Sequence, residues 1–389
     1  MLEYSNELFK EKFNTAVEIL KIFENNNFKA YFVGGCVRDY ILKKEFSDID
    51  ITTNALPEEI KTIFDRTIDT GIKHGTVTIF HKGNYYEVTT FRTELDYTNH
   101  RSPDKVEFVS SLEKDLERRD FTINAMALDS RGRLYDFHNG LSDLNHKIIR
   151  TVNSPNERFN EDALRMLRAF RFSSKLEFKI EDETYNAIVK NKELIKFVSI
   201  ERVVVEFKKL LQEKGNKNAL GQLISSKIGC YIPFIKFIEE YTDFADFTFS
   251  QALYWLMYFN NIELLELKKL KLSNNEIKKI KKYKKIKLEF DKKTPLEVMI
   301  YDFGREDVKF IVDIFKIMST EKIKDIYLPI LNFSEIEITS EEIIKIINKK
   351  PGSWIKEVSR LIEVNILLNN LQNNNKGIID FLLKLKDKI

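Results

Sequence analysis

The sequence predicts an α+β fold in which a mixed α/β head precedes an all-helical remainder. Up to about Ile149, short β-type runs punctuated by Gly, Asn and Asp alternate with helical segments. Beyond Asn153, apolar residues recur three and four positions apart, which is the spacing of amphipathic helices. The β-type runs are AYFVGG, DIDIT, TVTIF and YYEVTTF, and the helical segments include NEDALRMLRAFRF, IERVVVEFKKLLQ, FSQALYWLMYF, EDVKFIVDIFKIM and IIDFLLKLKDKI.

A chain of 389 residues exceeds one average domain and is expected to contain two to four units. Polar, Gly and Pro residues cluster at EKGNKN, KKTP, LNFSEIEITS and NKKPGS, where helices are expected to break. We therefore expect a head at 1–150, a helical neck at 151–213, a helical body at 214–320 and a helical tail at 321–389.

The composition argues against several classes of protein. No apolar run approaches the roughly 20 residues that span a bilayer, and the N-terminus MLEYSNELFKEKF lacks the features of a secretory signal. We therefore expect a cytoplasmic protein without a membrane partner. Cys36 and Cys230 are the only cysteines, which argues against a disulfide framework or a CxxC metal site.

Positive charge is concentrated in one segment. The formal net charge of +3 is too small to indicate a polyanionic partner by itself, but Lys268–Lys293 is dense in lysine. Such a segment favours a surface that attracts phosphates. A solvated helix face in a lysine-rich protein is the alternative.

Two aspartates, Asp48 and Asp50, lie two residues apart in SDIDI. On a strand this spacing directs both carboxylates to the same face. Carboxylates held close together suit Mg²⁺, which usually takes one or two of them and completes its coordination with water and substrate phosphates. We therefore predict that both residues are catalytic and bind Mg²⁺; a pair of turn aspartates is the alternative.

A Gly-Gly pair follows the apolar run AYFV, at Gly34 and Gly35. Glycines allow backbone N–H groups to approach a phosphate, because no Cβ intervenes. Arg38 adds a permanent cation, and VRDYIL is typical of the first turn of a helix, whose N-terminus favours an anion. We predict that Gly35 and Arg38 bind phosphate. A Gly-Gly turn with a surface arginine is the alternative for the pair alone.

The order of strand, Gly-Gly, Val-Arg-Asp and a second strand with two acids resembles the nucleotidyltransferase superfamily that contains DNA polymerase β. LERRDFTINAMALD, LYDFHNGLSDL and NEDALRMLRAFRF are similar to the second, third and fourth signatures of class II tRNA nucleotidyltransferases and bacterial poly(A) polymerases. VSIERVVVEFKKLL resembles the segment that closes the neck in that family. The resemblance implies a DNA polymerase β-like nucleotidyltransferase head followed by an all-α neck, body and tail.

The fourth signature spaces four charged residues three apart, at Asp162, Arg165, Arg168 and Arg171. On a helix, residues three apart are neighbours, so Asp162 and Arg165 are expected to be adjacent. A carboxylate only accepts hydrogen bonds and a guanidinium only donates them. Such a pair fits cytosine and adenine, which each present an amino donor beside a ring-nitrogen acceptor, and leaves polar groups unpaired against uracil and guanine.

The resemblance assigns this base-reading role to Asp162 and Arg165. It implies that Arg168 and Arg171 contribute to the same nucleotide pocket. An amphipathic helix with its arginines in solvent is the alternative for the isolated segment.

The resemblance also implies nucleotide contact for Arg119, the second arginine of RRDFTINA. Asp120 and Asn124 are available to orient the sugar or the backbone, although a buried Asp–Arg pair joining helix to sheet is the structural alternative for Asp120. Glu87, in YYEVTTF, is a candidate third carboxylate facing the metal.

The reaction that the resemblance implies is template-independent addition of C, C and A to the 3′ end of tRNA. The RNA 3′-OH would attack the α-phosphate of CTP or ATP and release pyrophosphate, with Mg²⁺ held by Asp48 and Asp50. No Ser or Cys nucleophile is required, because the substrate supplies the nucleophile. Gly35 and Arg38 would position the triphosphate.

Several relatives with this head remain as alternatives. Phe91–Phe108 keeps a loop that CC-only enzymes shorten, which disfavours a CC-only enzyme and leaves an A-adding enzyme open. A bacterial poly(A) polymerase usually has a longer basic C-terminal extension, for which this chain has little room. A non-catalytic RNA-binding relative is disfavoured because the acids, the glycines and Arg119 are intact. No histidine follows His146, so a His-Asp phosphohydrolase domain is not expected.

The helical remainder is expected to hold the 3′ acceptor end of tRNA and its upper arm through shape and phosphate contacts. A-form RNA exposes little readable sequence in its deep groove, so phosphates are the accessible feature. Lys268–Lys293 is the candidate contact segment.

Overall fold

The computed structural model describes residues 7–95 and 105–386, which divide into two units. The first unit comprises the residues up to Ala252 together with Leu256–Lys271, and the second comprises Leu253–Trp255 together with the residues from Leu272 onward. Within the described residues, only one two-residue strand lies beyond residue 150, at Lys179–Ile180. The predicted α+β class, with an α/β head followed by helices, is confirmed.

The main sheet has the strand order β3-β4-β5-β2-β1-β8-β9. Strand β2 runs antiparallel to β1 and parallel to β5, so it lies in the middle of the sheet. The β6–β7 pair is antiparallel, and the β10–β11 pair is parallel. The strands of the described residues are β1 (Ala30–Val33), β2 (Asp50–Thr53), β3 (Thr67–Gly71), β4 (Thr76–His81), β5 (Asn84–Thr90), β6 (Arg92–Leu95), β7 (Lys105–Phe108), β8 (Met126–Leu128), β9 (Leu134–Asp136), β10 (Ile148–Ile149) and β11 (Lys179–Ile180).

The helices continue through both units, and each of the four predicted breaks includes residues that lie between two α-helices. The helices of the described residues are α1 (Glu7–Asn25), α2 (Gly35–Ile41), α3 (Pro57–Ile63), α4 (Leu112–Glu117), α5 (Gly140–Asn145), α6 (Pro155–Glu161), α7 (Leu164–Leu176), α8 (Asp182–Asn191), α9 (Ile200–Leu211), α10 (Asn216–Ser225), α11 (Phe249–Phe259), α12 (Leu264–Lys268), α13 (Asn274–Asp291), α14 (Leu296–Phe303), α15 (Arg305–Phe315), α16 (Glu321–Lys324), α17 (Ser340–Ile347), α18 (Trp354–Leu367) and α19 (Asn375–Lys386).

The first helix anchors the strand that leads into the Gly-Gly pair. Apolar residues of α1 recur at helical spacing and are buried, among them Phe9 and Phe13. The Phe13 ring stacks on Phe32 of β1, with the ring centroids 4.4 Å apart. Such packing fixes the end of β1, because a displaced aromatic side chain would expose a large apolar area.

The second unit has an apolar core of its own. It is formed by helices α14, α17, α18 and α19, whose inward faces are rich in isoleucine and leucine. Its fully buried side chains include Ile343, Ile362, Leu367, Ile378 and Leu382. Among the residues that the structure describes, no helix is both long and apolar enough to cross a membrane.

Two local predictions differ from the structure. Strand β2 begins at Asp50, so Asp48 precedes the strand instead of lying on it. The reason is that Val33, the partner of Asp50, is the last residue of β1, and the chain turns away at Gly34, where φ is +76°.

The fourth signature is not one continuous helix. Helix α6 ends at Glu161 and α7 begins at Leu164, with Asp162 in an extended conformation between them (φ −133°, ψ 104°). The carboxylate Oδ1 of Asp162 accepts a hydrogen bond from the Leu164 N–H at 3.1 Å. Aspartate competes in this way for backbone N–H groups and favours helix starts over helix interiors.

Candidate active site

A cleft of about 650 Å³ in the first unit lies where β1 ends and β2 begins. It collects side chains from α2, from the start of β2, from the segment after α4 and from α7. Asp162 and Arg165 are not among the residues that line it. The predicted site residues that do line it are Gly35, Arg38, Asp48, Asp50, Arg119, Arg168 and Arg171.

The two acids of SDIDI both line this cleft. Asp50 pairs with Val33 of β1 on one side and with Glu87 of β5 on the other. Burial raises the pKa of the Asp50 carboxyl; the negative charges of Glu87 and Asp48 add to this effect, while the Arg119 cation opposes it. The site therefore concentrates negative charge that a cation would relieve.

These donors fit a hard divalent cation. Carboxylate oxygens are the ligands that Mg²⁺ prefers, and it commonly takes only one or two from protein. In the described ranges, no group of three or more His, Cys, Asp or Glu side chains is arranged to hold a metal ion. Asp48 and Asp50 as ligands of Mg²⁺, and Glu87 as a third ligand, stay predictions.

Gly34, and not only Gly35, is required by the geometry. Its φ of +76° is a conformation that residues with a side chain rarely adopt. A Cβ there would lie 3.2 Å from Nη1 of Arg119 and 3.7 Å from Oδ2 of Asp50. Gly34 therefore allows an arginine and an acid of the cleft to approach the backbone. Gly35 begins α2.

Arg38 lines the cleft but is only 2% exposed. Its Nε and Nη2 donate to the two carboxylate oxygens of Asp39, each at 2.8 Å, and its Nη1 donates to Oδ1 of Asn124 at 2.6 Å. Lys175 of α7 also donates to Asp39, at 3.2 Å. Burial opposes the charged form of Asp39, but these two cations outweigh it and lower the pKa of the carboxyl.

Arg119 lies between two acids. Its Nη2 is 3.4 Å from Oδ2 of Asp115, and its charge acts on Asp50. Asp115 is fully buried and also accepts hydrogen bonds from Arg118 and from the hydroxyl of Thr52. Burial disfavours its charged form, yet Arg118 and Arg119 together lower its pKa.

The contribution of Asp115 was not predicted. Its signal in the sequence is an acid placed three and four residues before two arginines, a spacing at which helix side chains meet. Through Thr52, this acid also connects the arginine segment to the strand that carries Asp50.

Asp120 forms the buried Asp–Arg pair that was considered as its structural role. Its Oδ2 accepts from Nε of Arg168 at 2.8 Å, and its Oδ1 accepts from the Phe121 N–H at 2.8 Å and from Asn124 at 3.0 Å. Burial opposes ionisation, but Arg168 and these donors outweigh it and hold the pKa of Asp120 far below its usual range. The pair joins α7 to the segment that follows α4.

An aromatic ring on α7 lies beside three of the arginines that line the cleft. The guanidinium carbons of Arg38, Arg168 and Arg171 lie 5.2, 5.4 and 4.3 Å from the centre of the Phe172 ring. Contact with a ring face stabilises cations that burial would otherwise disfavour. Arg171 also lies 3.2 Å from Oε2 of Glu206 on α9. The sequence interpretation did not include Phe172, Lys175 or Glu206.

Asp162 and Arg165 are adjacent in the chain fold, but their side chains take different partners. The Arg165 N–H donates to the Asp162 carbonyl at 3.0 Å. The Arg165 guanidinium binds Glu161 and, at 3.0 Å, the carbonyl of Arg118. The Asp162 carboxylate accepts from Nη2 of Arg202 on α9 at 2.9 Å. The carboxylate and the guanidinium of the predicted base-reading pair thus bind other groups.

Predictions were also made for two further regions. The Phe91–Phe108 loop includes residues 96–104, which are outside the described residues, while the strands on either side of them, β6 and β7, pair with each other. In the lysine-dense segment, α13 buries Ile280, Tyr283 and Ile286 and turns Lys278, Lys281 and Lys285 to solvent.

Family models match most of the chain. The model described as "Poly A polymerase head domain" matches residues 30–150, which contain the two acids and Arg119. The model described as "Probable RNA and SrmB- binding site of polymerase A" matches residues 177–237. The model described as "tRNA nucleotidyltransferase domain 2 putative" matches residues 250–382.

Relatives and solved structures match along nearly the full length. The CCA-adding enzyme of Staphylococcus haemolyticus is 41% identical over 383 residues, covering 93% of this chain and 96% of the relative. The CCA-adding enzyme of Bacillus subtilis is 38% identical and covers 95% of this chain and 98% of the relative. The crystal structure of the Bacillus stearothermophilus CCA-adding enzyme in complex with CTP superposes with a TM-score of 0.87 at 32% identity, covering 97% of this chain and 98% of that one.

Identity at this level over the whole length extends beyond the head to the helical units, where the sequence motifs gave little guidance. The predicted resemblance is confirmed, and the chain is a nucleotidyltransferase of a family that uses a divalent metal ion. With its cleft of paired acids and clustered arginines, the chain belongs to the CCA-adding enzymes, the tRNA nucleotidyltransferases of the poly(A) polymerase family.

Proposed function

We propose that this chain adds C, C and A to the 3′ end of tRNA from CTP and ATP without a nucleic-acid template, releasing pyrophosphate. The observation that carries the proposal is the single cleft that is lined by Asp48, Asp50 and several arginines. A triphosphate needs cations along its length and a metal ion at the reacting phosphorus. The full-length relatives that are named CCA-adding enzymes favour this activity over A addition alone.

Asp48 and Asp50 are the residues that would hold Mg²⁺. When bound, the ion would lower the pKa of the attacking 3′-OH and neutralise negative charge that develops on the phosphate oxygens. The raised pKa of Asp50 supports this role, because burial and two neighbouring carboxylates make its negative charge costly without a cation. No side-chain nucleophile takes part.

The arginines of the cleft would bind the triphosphate. Arg119 and Arg171 line the cleft, and each has a buried Nε without a hydrogen-bond partner among the described residues. Such an N–H group gains free energy when a phosphate oxygen reaches it. Gly35 and Arg168 line the same cleft. The Arg38 guanidinium already donates hydrogen bonds to Asp39 and Asn124. We therefore propose that it supports the phosphate site indirectly, by holding these two side chains in place.

Asp162 and Arg165 would select the base. A carboxylate beside a guanidinium offers an acceptor and a donor, which complements cytosine and adenine but not uracil and guanine. Arg165 is bound to Glu161 and to backbone carbonyls, so reading a base requires the exchange of at least one of these contacts. Base selection therefore includes a rearrangement at the start of α7.

The second unit would bind tRNA through phosphate contacts. Lys278, Lys281 and Lys285 lie on one side of α13, opposite its buried face. Lysines spaced along a helix in this way suit a polyanionic backbone. We propose that the enzyme acts on tRNA in the cytoplasm.

The proposal is tested with tRNA that lacks its terminal CCA and with radiolabelled CTP. Asp48→Ala is expected to abolish incorporation while tRNA affinity, measured by filter binding, stays within about twofold, because a lost metal ligand affects the reaction more than RNA docking. Lys190→Ala, on the exposed side of α8, serves as the matched control. Retained turnover in Asp48→Ala would refute the metal role.

A further inference from the structure

Arg202 on α9 makes a direct contact with the proposed base reader. Its Nη2 donates to Oδ2 of Asp162 at 2.9 Å, and the Asp162 side chain is only 16% exposed. The other carboxylate oxygen, Oδ1, accepts from the Leu164 N–H at 3.1 Å. Each oxygen of the carboxylate is therefore held by one donor from a different element.

This arrangement fixes the carboxylate and leaves it able to accept more hydrogen bonds. An ionised carboxylate has about four lone-pair sites, of which these two contacts use two. The terminal torsion of an aspartate is broad and roughly two-fold, so an unheld carboxylate would rotate. With both oxygens held, the remaining acceptor sites point in fixed directions.

The same helix makes a second charged contact, this one with α7. Glu206 lies four residues after Arg202, on the same face of α9, and pairs with Arg171. The Arg202 side chain is 37% exposed, whereas that of Arg165 is 8% exposed. Arg202 is thus the more accessible of the two guanidiniums.

We propose that Arg202 is a positioning residue for nucleotide choice: it orients the Asp162 carboxylate so that this group accepts the exocyclic amino group of cytosine or adenine. The inference rests on the proposed base-reading role of Asp162. Without Arg202 the carboxylate turns, the hydrogen bond to the amino group weakens, and discrimination against uracil falls. The triphosphate site, which is built from other residues, is unaffected.

The test compares kcat/KM for CTP, ATP and UTP on tRNA lacking its CCA end. Arg202→Ala is expected to lower the preference for CTP over UTP by about tenfold or more, which is the size of one hydrogen bond to a charged group. Arg202→Lys keeps a cation at this position and should restore part of the preference. Lys209→Ala, on the exposed side of the same helix, should leave the preference and the Tm unchanged.

Asp162→Asn and the double variant separate the possible outcomes. If Arg202 acts through Asp162, Arg202→Ala adds no further loss of preference to Asp162→Asn. If Asp162→Asn lowers the preference but Arg202→Ala slows all nucleotides equally, the positioning role is wrong and the base reader stands. If Asp162→Asn leaves the preference intact, the base-reading proposal itself fails. If Arg202→Ala does not fold, the same comparison is made with Arg202→Gln, which keeps a hydrogen-bond donor and most of the side-chain length.

Discussion

Asp50 and Glu87 occupy paired positions on β2 and β5, two parallel neighbouring strands of the main sheet. Burial, followed by the charges of Glu87 and Asp48, raises the pKa of Asp50. A carboxyl with a raised pKa in the folded state costs folding free energy above that pKa, and the cost fades as the pH falls to the value in the unfolded chain. A cation bound at the proposed metal site would therefore stabilise the folded state.

Asp50→Asn is expected to raise the Tm at pH 7 in the presence of a chelator, because it removes one of the repelling charges. The gain should shrink as the pH falls, since the native carboxyl then takes up a proton. Mg²⁺ should raise the Tm of the native protein and not that of the variant. Thermal unfolding at several pH values measures all three effects, and a lower Tm for the variant at pH 7 would contradict the account.

Gly34→Ala is expected to destabilise the fold and to raise the KM for nucleotides. The substitution is strained at φ +76°, a cost of about 1 kcal/mol, and its Cβ would lie 3.2 Å from Nη1 of Arg119. Gly83→Ala is the matched control, because Gly83 has a φ of +85° with no atom within 4 Å of an added Cβ. Urea unfolding and steady-state kinetics should show a stability loss for both and a kinetic loss for Gly34→Ala alone. Equal KM values for the two variants would show that a Cβ at position 34 does not disturb nucleotide binding through Arg119.

Asp120→Asn is expected to destabilise the protein by about 3 kcal/mol, because it leaves the Arg168 guanidinium without its buried partner. The pKa of Asp120 is lowered in the folded state, so its stabilising effect is present above the pKa of the unfolded chain and is lost as the pH falls. The difference from the native protein should accordingly shrink on acidification, as measured by urea unfolding between neutral and acidic pH.

The control for this pair is Asp182→Asn, which breaks an exposed ion pair with Lys179. Exposed pairs contribute about 0–1 kcal/mol, so little change is expected. Losses of equal size in the two variants would show that the Asp120–Arg168 pair does not stabilise the fold as a buried pair does.

Replacing Lys278, Lys281 and Lys285 with Gln is expected to weaken tRNA binding and to reduce its dependence on salt. Each lost phosphate contact lowers the slope of log affinity against log salt concentration by somewhat less than one. Binding measured between low and physiological salt gives the slope. An affinity of the native protein that stays flat over this range would exclude the segment as a phosphate-binding surface.

The matched control for the lysine variant removes the same charge elsewhere. Lys10, Lys21 and Lys29 are exposed residues of the head that no proposal uses. Their replacement with Gln should leave the slope nearly unchanged, since the charges lie outside the proposed RNA-binding helix. An equal loss in both triple variants would mean that net charge, and not the α13 surface, governs binding.

The sequence located the cleft because its acids and glycines lie near strand ends, where a local pattern determines the structure. Asp50 begins β2, and Gly34 turns the chain after β1, as the short β-type runs punctuated by Gly and Asp indicate. The partners of the arginines could not be predicted in the same way. Arg168 is 48 residues from Asp120, and Arg38 is 86 residues from Asn124. Which donor reaches which acceptor depends on how distant elements pack.

The break at Asp162 shows a second limit of periodicity. Spacing by three residues is compatible with one helix or with two helices joined by a short break. At the break in the structure, the Asp162 side chain accepts a hydrogen bond from the Leu164 N–H. The aspartate itself indicated a helix boundary, because aspartate favours helix starts over helix interiors. The three-residue spacing of the charged residues instead favoured one continuous helix.

The most direct test of the central claim is the sequence of the nucleotides added to tRNA that lacks its CCA end. The purified protein is incubated with CTP alone, with ATP alone and with both, and the products are sequenced. The account predicts addition of two cytidines with CTP alone, neither a CC nor a CCA end with ATP alone, and a complete CCA end with both. Addition of A only to tRNA that already ends in CC, or no addition at all, would contradict it.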